Sequence, residues 1–139
     1  MSRVINPETA GKERDRWTRE ILLAGRELMT KSQVDDQTRD LAAYIALALA
    51  SIFQTIDVSV AAWEKRGYWV KADRYRMEWM WTERLGGLMK SAILAEDWPT
   101  VAVLTGQVMQ KLSHVRLPKR PRAETPWTGA YQQLLSKQS

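Results

Sequence analysis

The sequence contains no cysteine and only one histidine, His114. Without a thiol, the chain can form no disulfide, no zinc–thiolate site and no cysteine nucleophile. Lys111 stands where an iron-binding Glu-x-x-His pair would need glutamate, and Met109 stands where the Arg-x-x-x-x-His motif of helical nucleases would need arginine. The one glycine pair, Gly86-Gly87, lies in a helical pattern and forms no phosphate loop. We therefore predict no catalytic residue, no metal and no cofactor.

Long apolar segments are also missing. The first seven residues hold no apolar stretch of the kind that a secretory signal requires. The longest apolar run, residues 41–53, is interrupted only by Ser51 and is shorter than the roughly 20 residues of a membrane span. We therefore expect a cytoplasmic protein that does not enter a membrane.

What the sequence does contain is apolar residues at helical spacing. Trp17, Ile21, Ala24 and Leu28 recur every three or four residues, whereas no segment alternates as a half-buried strand does. The 139 residues suffice for one domain, and short connections between the apolar segments favour neighbouring helices. The sequence therefore predicts an all-α fold, an antiparallel four-helix bundle. Its helices are expected at about 7–30, 36–66, 69–95 and 98–112.

Helix-capping residues mark the predicted boundaries. Asn6-Pro7 combines a good N-cap with a proline at the first helical position. Asp35 or Asp36 can cap the second helix, and Gly67 can take the left-handed position after its end. Asp97 is the expected cap of the fourth helix.

The chain changes character after residue 112. Residues 113–139 carry five basic side chains and one acidic side chain, which accounts for +4 of the net charge of +5. We therefore divide the chain into a bundle, 1–112, and a tail, 113–139, whose proline-punctuated start is a linker. Trp127, Tyr131 and Leu134 then recur at helical spacing, which predicts a short amphipathic helix at about 126–136. So short a helix needs a groove to dock in, supplied by its own bundle or by a partner.

The third helix has two apolar stripes. One contains Val70, Met77, Trp81, Leu85, Leu88 and Ala92, and the other contains Tyr68, Ala72, Tyr75 and Trp79. Both stripes can face the core of a bundle, but a stripe left in solvent would mark a protein interface, because exposed aromatic patches usually do. The chain has seven tryptophans, which favours the interpretation of one stripe as an interface. The candidate interface residues share an aromatic or large apolar side chain: Tyr68, Tyr75, Trp79, Trp127, Tyr131 and Leu134.

Charged residues accompany these aromatics. Asp57 lies in an apolar context and, if partly buried, would need a cation, for which Arg74 and Arg76 are the candidates. Such a group is either an ion-pair network that sets helix register or a ligand pocket lined by arginine and tryptophan. The former is the simpler interpretation.

The linker has a basic cluster. Arg116, Lys119, Arg120 and Arg122 are either solvated or in contact with nucleic-acid phosphates. No base-reading helix or RNA motif accompanies them, which favours a solvated linker.

Together these patterns favour a non-enzymatic protein that works through protein–protein association, with itself or as a small subunit of a larger assembly. The alternatives are a nucleic-acid-associated protein that uses the basic 113–122 segment, and a bundle that binds a small ligand.

Overall fold

The computed structural model describes residues 7–117 and 125–137 of the chain, with side chains from residue 9 onward. Helices are the only regular secondary structure in these residues, so the predicted all-α class is confirmed. Asn6, Lys119, Arg120 and Arg122 lie outside the described residues. The helices are α1 (Pro7–Met29), α2 (Asp36–Lys65), α3 (Trp69–Trp79), α4 (Trp81–Leu94), α5 (Trp98–Lys111) and α6 (Ala130–Ser136).

Helix α2 begins and ends where its sequence signals lie. At its start, the Asp35 carboxylate accepts a hydrogen bond from the Thr38 amide, and the Thr38 hydroxyl bonds back to the Asp35 backbone. At its end, Gly67 has a φ of +81°, which costs least for a residue without Cβ. Its N–H bonds to the carbonyl of Glu64, and that of Tyr68 bonds to the carbonyl of Trp63. Both predicted caps of α2 are therefore confirmed.

Helix α2 is also the centre of the fold. It packs against α1, α3, α4 and α6, while α5 packs against α4 and α1. Its apolar residues occur on a wide arc, so neighbours can bury it from several sides. The largest fully buried side chains of α2 are aliphatic: Leu41, Ile45, Leu49, Ile52, Ile56 and Val60. Each contributes about 1.5–3 kcal/mol through removal from water.

The same helix is long and apolar enough to cross a membrane, judged by length and composition alone. In its most apolar window, 50% of the residues are buried inside the protein. The core helix of a water-soluble protein has the same properties, so the composition of α2 does not separate the two settings.

The predicted third helix, 69–95, is wrong in one respect, because the structure divides it at Met80 into α3 and α4. Met80 itself keeps helical torsion angles, φ −58° and ψ −26°. Ala72 packs against Val60, while a Cβ built on Gly86 would lie 3.2 Å from the Cβ of Leu49. Helices α3 and α4 therefore follow one another along α2.

The tail helix packs into the main core. Trp127, Ala130 and Leu134 are buried in the same cluster as the side chains of α1, α2, α4 and α5, and Tyr131 is half-buried beside them. The groove predicted for this helix is thus supplied by its own chain. The carboxylate of Asp40 accepts hydrogen bonds from the Gly129 N–H at 3.1 Å and the Tyr131 N–H at 2.9 Å.

The start of the tail helix differs from the prediction. Residues 126–129 form a turn, and α6 begins at Ala130 instead of residue 126. The reason is Gly129, whose φ of +84° does not fit a continuous right-handed helix. This turn lets Trp127 enter the core ahead of the helix.

We expect Asp40→Ala to release the tail helix, because the amides of Gly129 and Tyr131 would lose their acceptor. The free energy of unfolding should fall by about 1–3 kcal/mol. Amides of residues 130–136 should exchange with solvent faster in hydrogen-exchange mass spectrometry. Gln54→Ala, at an exposed position on the same helix, is the control and should change neither quantity. Unchanged exchange in Asp40→Ala would contradict the role given to this carboxylate.

Candidate functional site

The candidate functional site lies on α3 and α4 and has two parts. One is an aromatic cluster on the inner side of α3, and the other is an exposed face on the outer side of α3 and α4. The inner side is formed by Ala72, which is fully buried, and by the half-buried Tyr75 and Trp79. They pack with Ile56 and Val60 of α2 in a small second core. Of the interface residues predicted in this segment, only Tyr68, which precedes α3, is exposed.

The aromatic rings of this second core form a continuous series. Trp63 and Tyr75 meet edge to face with centroids 4.8 Å apart, and Tyr75 and Trp79 are 6.4 Å apart. Trp79 in turn stacks on Trp81 at 6.2 Å, across the break between α3 and α4. Aromatic pairs in such geometries contribute about 0.5–1.5 kcal/mol beyond area burial. The series therefore holds α3 to the end of α2.

Arg14 of α1 supplies the cation of this cluster, a residue that the sequence analysis missed. Its guanidinium lies 5.1 Å from the ring centroid of Tyr75 and 5.8 Å from that of Trp79, within cation–π range. It also donates a hydrogen bond of 3.3 Å to the hydroxyl of buried Thr55. A signal was present: Arg14 lies seven residues before Ile21, on the buried stripe of α1.

The predicted grouping of Asp57 with Arg74 or Arg76 is wrong. Asp57 is exposed on α2, so it needs no buried counter-ion. Arg76 instead lies 3.6 Å from the carboxylate of Glu64, and Arg74 is exposed. The direction of the Arg74 and Arg76 side chains depends on the rotation of α3 about its axis, which the sequence pattern does not show.

A shallow depression lies beside the aromatic cluster. Its volume is about 370 Å³. The Lys71 ammonium lies 4.6 Å from the ring centroid of Trp63. The residues that line it include basic and acidic side chains and two aromatic rings: Trp63, Val70, Lys71, Arg74, Tyr75 and Glu78. The depression is open to solvent and lacks the enclosure that buries most of a small ligand.

The outer side of α3 and α4 carries a row of exposed residues that we call the α3–α4 row. Trp69, Met77 and Met80 are 63%, 67% and 54% exposed, and Leu88 is 45% exposed. Successive members are four, four, three, four and four residues apart, which places them on one helical face. The row consists of Trp69, Asp73, Met77, Met80, Arg84 and Leu88.

The row differs from the stripes predicted for the third helix. Val70 and Met77 share a predicted stripe with Leu85 and Ala92, yet only the latter two are buried. Val70 is 67% exposed beside the row. The residues of this stripe share one face of the predicted helix. In the structure, Val70 and Met77 of α3 face solvent, whereas Leu85 and Ala92 of α4 face the core.

The two charged members of the row, Asp73 and Arg84, are both exposed. Among residues 7–117 and 125–137, neither forms an ion pair. They are 11 residues apart in the sequence, about 16 Å along a helix, so they cannot reach one another within one chain. The row therefore presents one unmatched charge of each sign in an apolar setting.

Two half-buried tyrosines have raised pKa values. The Tyr44 hydroxyl donates a hydrogen bond to the Glu20 carboxylate, and burial together with this carboxylate raises the pKa of Tyr44. Burial also raises the pKa of Tyr75, against the opposing effect of Arg14. Within the part of the chain that the structure describes, no three His, Asp or Glu side chains come together as a metal site would require. Arg116 of the predicted basic cluster is exposed.

Comparison with known proteins adds no relative. No family model, no curated protein and no solved structure matches this chain.

We expect Arg14→Met to lower the free energy of unfolding by about 1–2 kcal/mol, because the cation leaves the faces of Tyr75 and Trp79 while the apolar stem is kept. Urea unfolding followed by tryptophan fluorescence measures this change. Arg26→Met, at an exposed position of the same helix, is the matched control and should stay within about 0.5 kcal/mol of the wild type. Equal effects of the two substitutions would argue against a role for Arg14 in the cluster.

We also expect stability to fall at alkaline pH. The pKa values of Tyr44 and Tyr75 are raised in the folded chain, so the unfolded chain releases these protons first, near the ordinary value of about 10. Their contribution is fully present below about pH 10 and is lost as the pH rises beyond it. Urea unfolding between about pH 8 and pH 11 measures this loss. The loss should be smaller in Tyr75→Phe but unchanged in Tyr68→Phe, since Tyr68 is exposed.

Proposed function

We propose that this chain is a non-enzymatic protein that acts through protein–protein association, and that the α3–α4 row is its binding surface. The observation that carries the proposal is the concentration of exposed apolar side chains on one helical face. Trp69, Met77, Met80 and Leu88 are all between 45% and 67% exposed, within 20 residues of sequence. Scattered exposed apolar residues are ordinary, but a contiguous row of them usually marks an interaction site.

The composition of the row also fits an interface. Aromatic residues, methionine and arginine are enriched where proteins meet, and the row contains tryptophan, two methionines and arginine. The surrounding structure would hold these residues in place, because α3 is fixed to α2 through Tyr75, Trp79 and Arg14. A rigid helix loses little conformational entropy on binding, which supports affinity.

The proposed arrangement behind this surface is an antiparallel bundle. In it α1, α2, the α3–α4 pair and α5 are the four long elements, and α6 covers a groove on α2. We also propose that the protein works in the cytoplasm without inserting α2 into a membrane. The burial of α2 by four other helices supports this, because insertion would require all of them to leave.

Site-specific photo-crosslinking in the source cell tests the binding surface. A photoreactive residue in place of Val70 or Met77, beside or within the row, should give a covalent adduct of higher mass. The same residue in place of Val103 is the matched control, since Val103 is 61% exposed but lies on α5. We expect adducts at positions 70 and 77 and none at 103.

A second substitution, combined with the photoreactive residue at position 77, tests whether the adduct depends on the row. Arg84→Glu lies in the row and should abolish the adduct. Val103→Glu lies outside the row and should leave the adduct unchanged. Both positions are exposed, so the fold should tolerate either change to within about 0.5 kcal/mol. Adducts that form equally at all three positions, or at none, would overturn the proposal.

A further inference from the structure

We infer that the α3–α4 row binds the same row of a second copy of this chain, with the two rows packed antiparallel about a two-fold axis. This inference rests on the proposed function and identifies the partner. It follows from the order of the residues in the row, together with their exposure.

The row has the same pattern of apolar and charged positions in both directions, with the two charges of opposite sign. Its spacing of four, four, three, four and four residues is symmetric about the point between Glu78 and Trp79. Two-fold symmetry about that point places Met77 against Met80 of the second copy and Trp69 against Leu88 of the second copy. All four side chains are exposed in the single chain, so each has apolar surface to bury.

The charges obey the same symmetry. Asp73 and Arg84 occupy mirrored positions, so Asp73 of each copy faces Arg84 of the other. A two-fold interface is self-complementary in this way: if one residue contacts a second, the second contacts the first. One pairing therefore gives two ion pairs, and it satisfies both charges that find no partner within the described parts of one chain.

The shape of the surface is compatible with this pairing. The same symmetry places Val70 against Gly87 of the second copy. Gly87 is exposed, and a Cβ built on it would have no neighbour within 4 Å, so the surface is open there. The row is built from steps of three and four residues, and ridges of this spacing fit into the grooves of a facing helix.

A different occupant does not account for the pattern. An anionic lipid surface would match Arg84 but would leave Asp73 of the row without a cation. An unrelated protein helix could match the apolar residues and both charges, but it would require no mirror symmetry in their order. In a two-fold pairing, the mirrored order brings apolar residues against apolar residues and Asp73 against Arg84, which is why we assign the row to a second copy.

Sedimentation equilibrium of the full chain with reversed charges tests the pairing. Asp73→Arg alone and Arg84→Asp alone should each raise the dimer dissociation constant about tenfold or more, because each creates two like-charge contacts per dimer. The double variant Asp73→Arg/Arg84→Asp restores opposite charges at both contacts. Its dissociation constant should return to within about threefold of the wild-type value.

Matched controls reverse charges outside the row. Asp57→Arg on α2 and Arg26→Asp on α1 change exposed residues of the same types. Neither substitution should alter the dissociation constant by more than about twofold. Circular dichroism of every variant confirms that the helices are intact.

Cysteine crosslinking tests the register independently, since the chain has no cysteine of its own. Trp69→Cys/Leu88→Cys should form a covalent dimer with a short bismaleimide, because the two positions meet across the proposed interface. Each single variant should not, because identical positions would lie about 28 Å apart along antiparallel helices. A covalent dimer from either single variant at the same yield would overturn the register.

The outcomes separate this inference from the proposed function. A chain that stays monomeric at all concentrations, yet forms adducts with another protein at positions 70 and 77, would overturn self-pairing and leave the proposed binding surface intact. A dimer that is insensitive to charge reversal, or that the double variant does not restore, would overturn the Asp73–Arg84 pairing. A monomer with no adduct would overturn both proposals.

Discussion

Burial of the apolar helix α2 is the interaction on which the rest of this structure depends. Helices α1, α3, α4 and α6 all pack against it, and α5 joins through α1 and α4. Because α2 is apolar over a wide arc, no single neighbour can cover it, and its burial requires several helices at once. The chain lacks disulfides, so its stability rests on this core and on local interactions such as the caps of α2.

The aromatic cluster extends that core to the far end of α2. Ala72 lets α3 approach closely, and Tyr75 and Trp79 pack beside it under the guanidinium of Arg14. Arg14 thus connects α1 to α3, two helices that otherwise share few contacts. With the inner side of α3 held in this way, its outer side, including Trp69 and Met77, faces solvent.

The break at Met80 lies within two residues of the centre of the α3–α4 row. Met80 keeps helical torsion angles, so the members of the row stay on one face despite the break. Trp79 and Trp81 stack across the break on the inner side, which joins α3 to α4 there. The symmetric order of the row is a property of the sequence, but it gains meaning only from the fact that all six side chains are exposed together.

The sequence alone was sufficient for the all-α class, for the approximate bounds of α1, α2 and α5, and for the caps at Asp35 and Gly67. These features depend on interactions within a few residues, which a local pattern records directly. The two apolar stripes of the third helix were also visible, but the pattern could not say which one would face solvent. That choice depends on the rotation of α3 against α2, which the packing of Ala72, Tyr75 and Trp79 decides.

Features that join distant parts of the chain were decided by tertiary structure alone. The acceptor for the α6 amides is Asp40, about 90 residues earlier in the sequence, and no local pattern connects the two. Likewise, the cation over Tyr75 and Trp79 is Arg14 instead of the nearby Arg74 or Arg76, because α1 brings it to those rings. The sequence by itself determined which segments are helical and where they end. Only the packing of those helices determined which side chains meet, since side chains from distant segments compete for the same buried space.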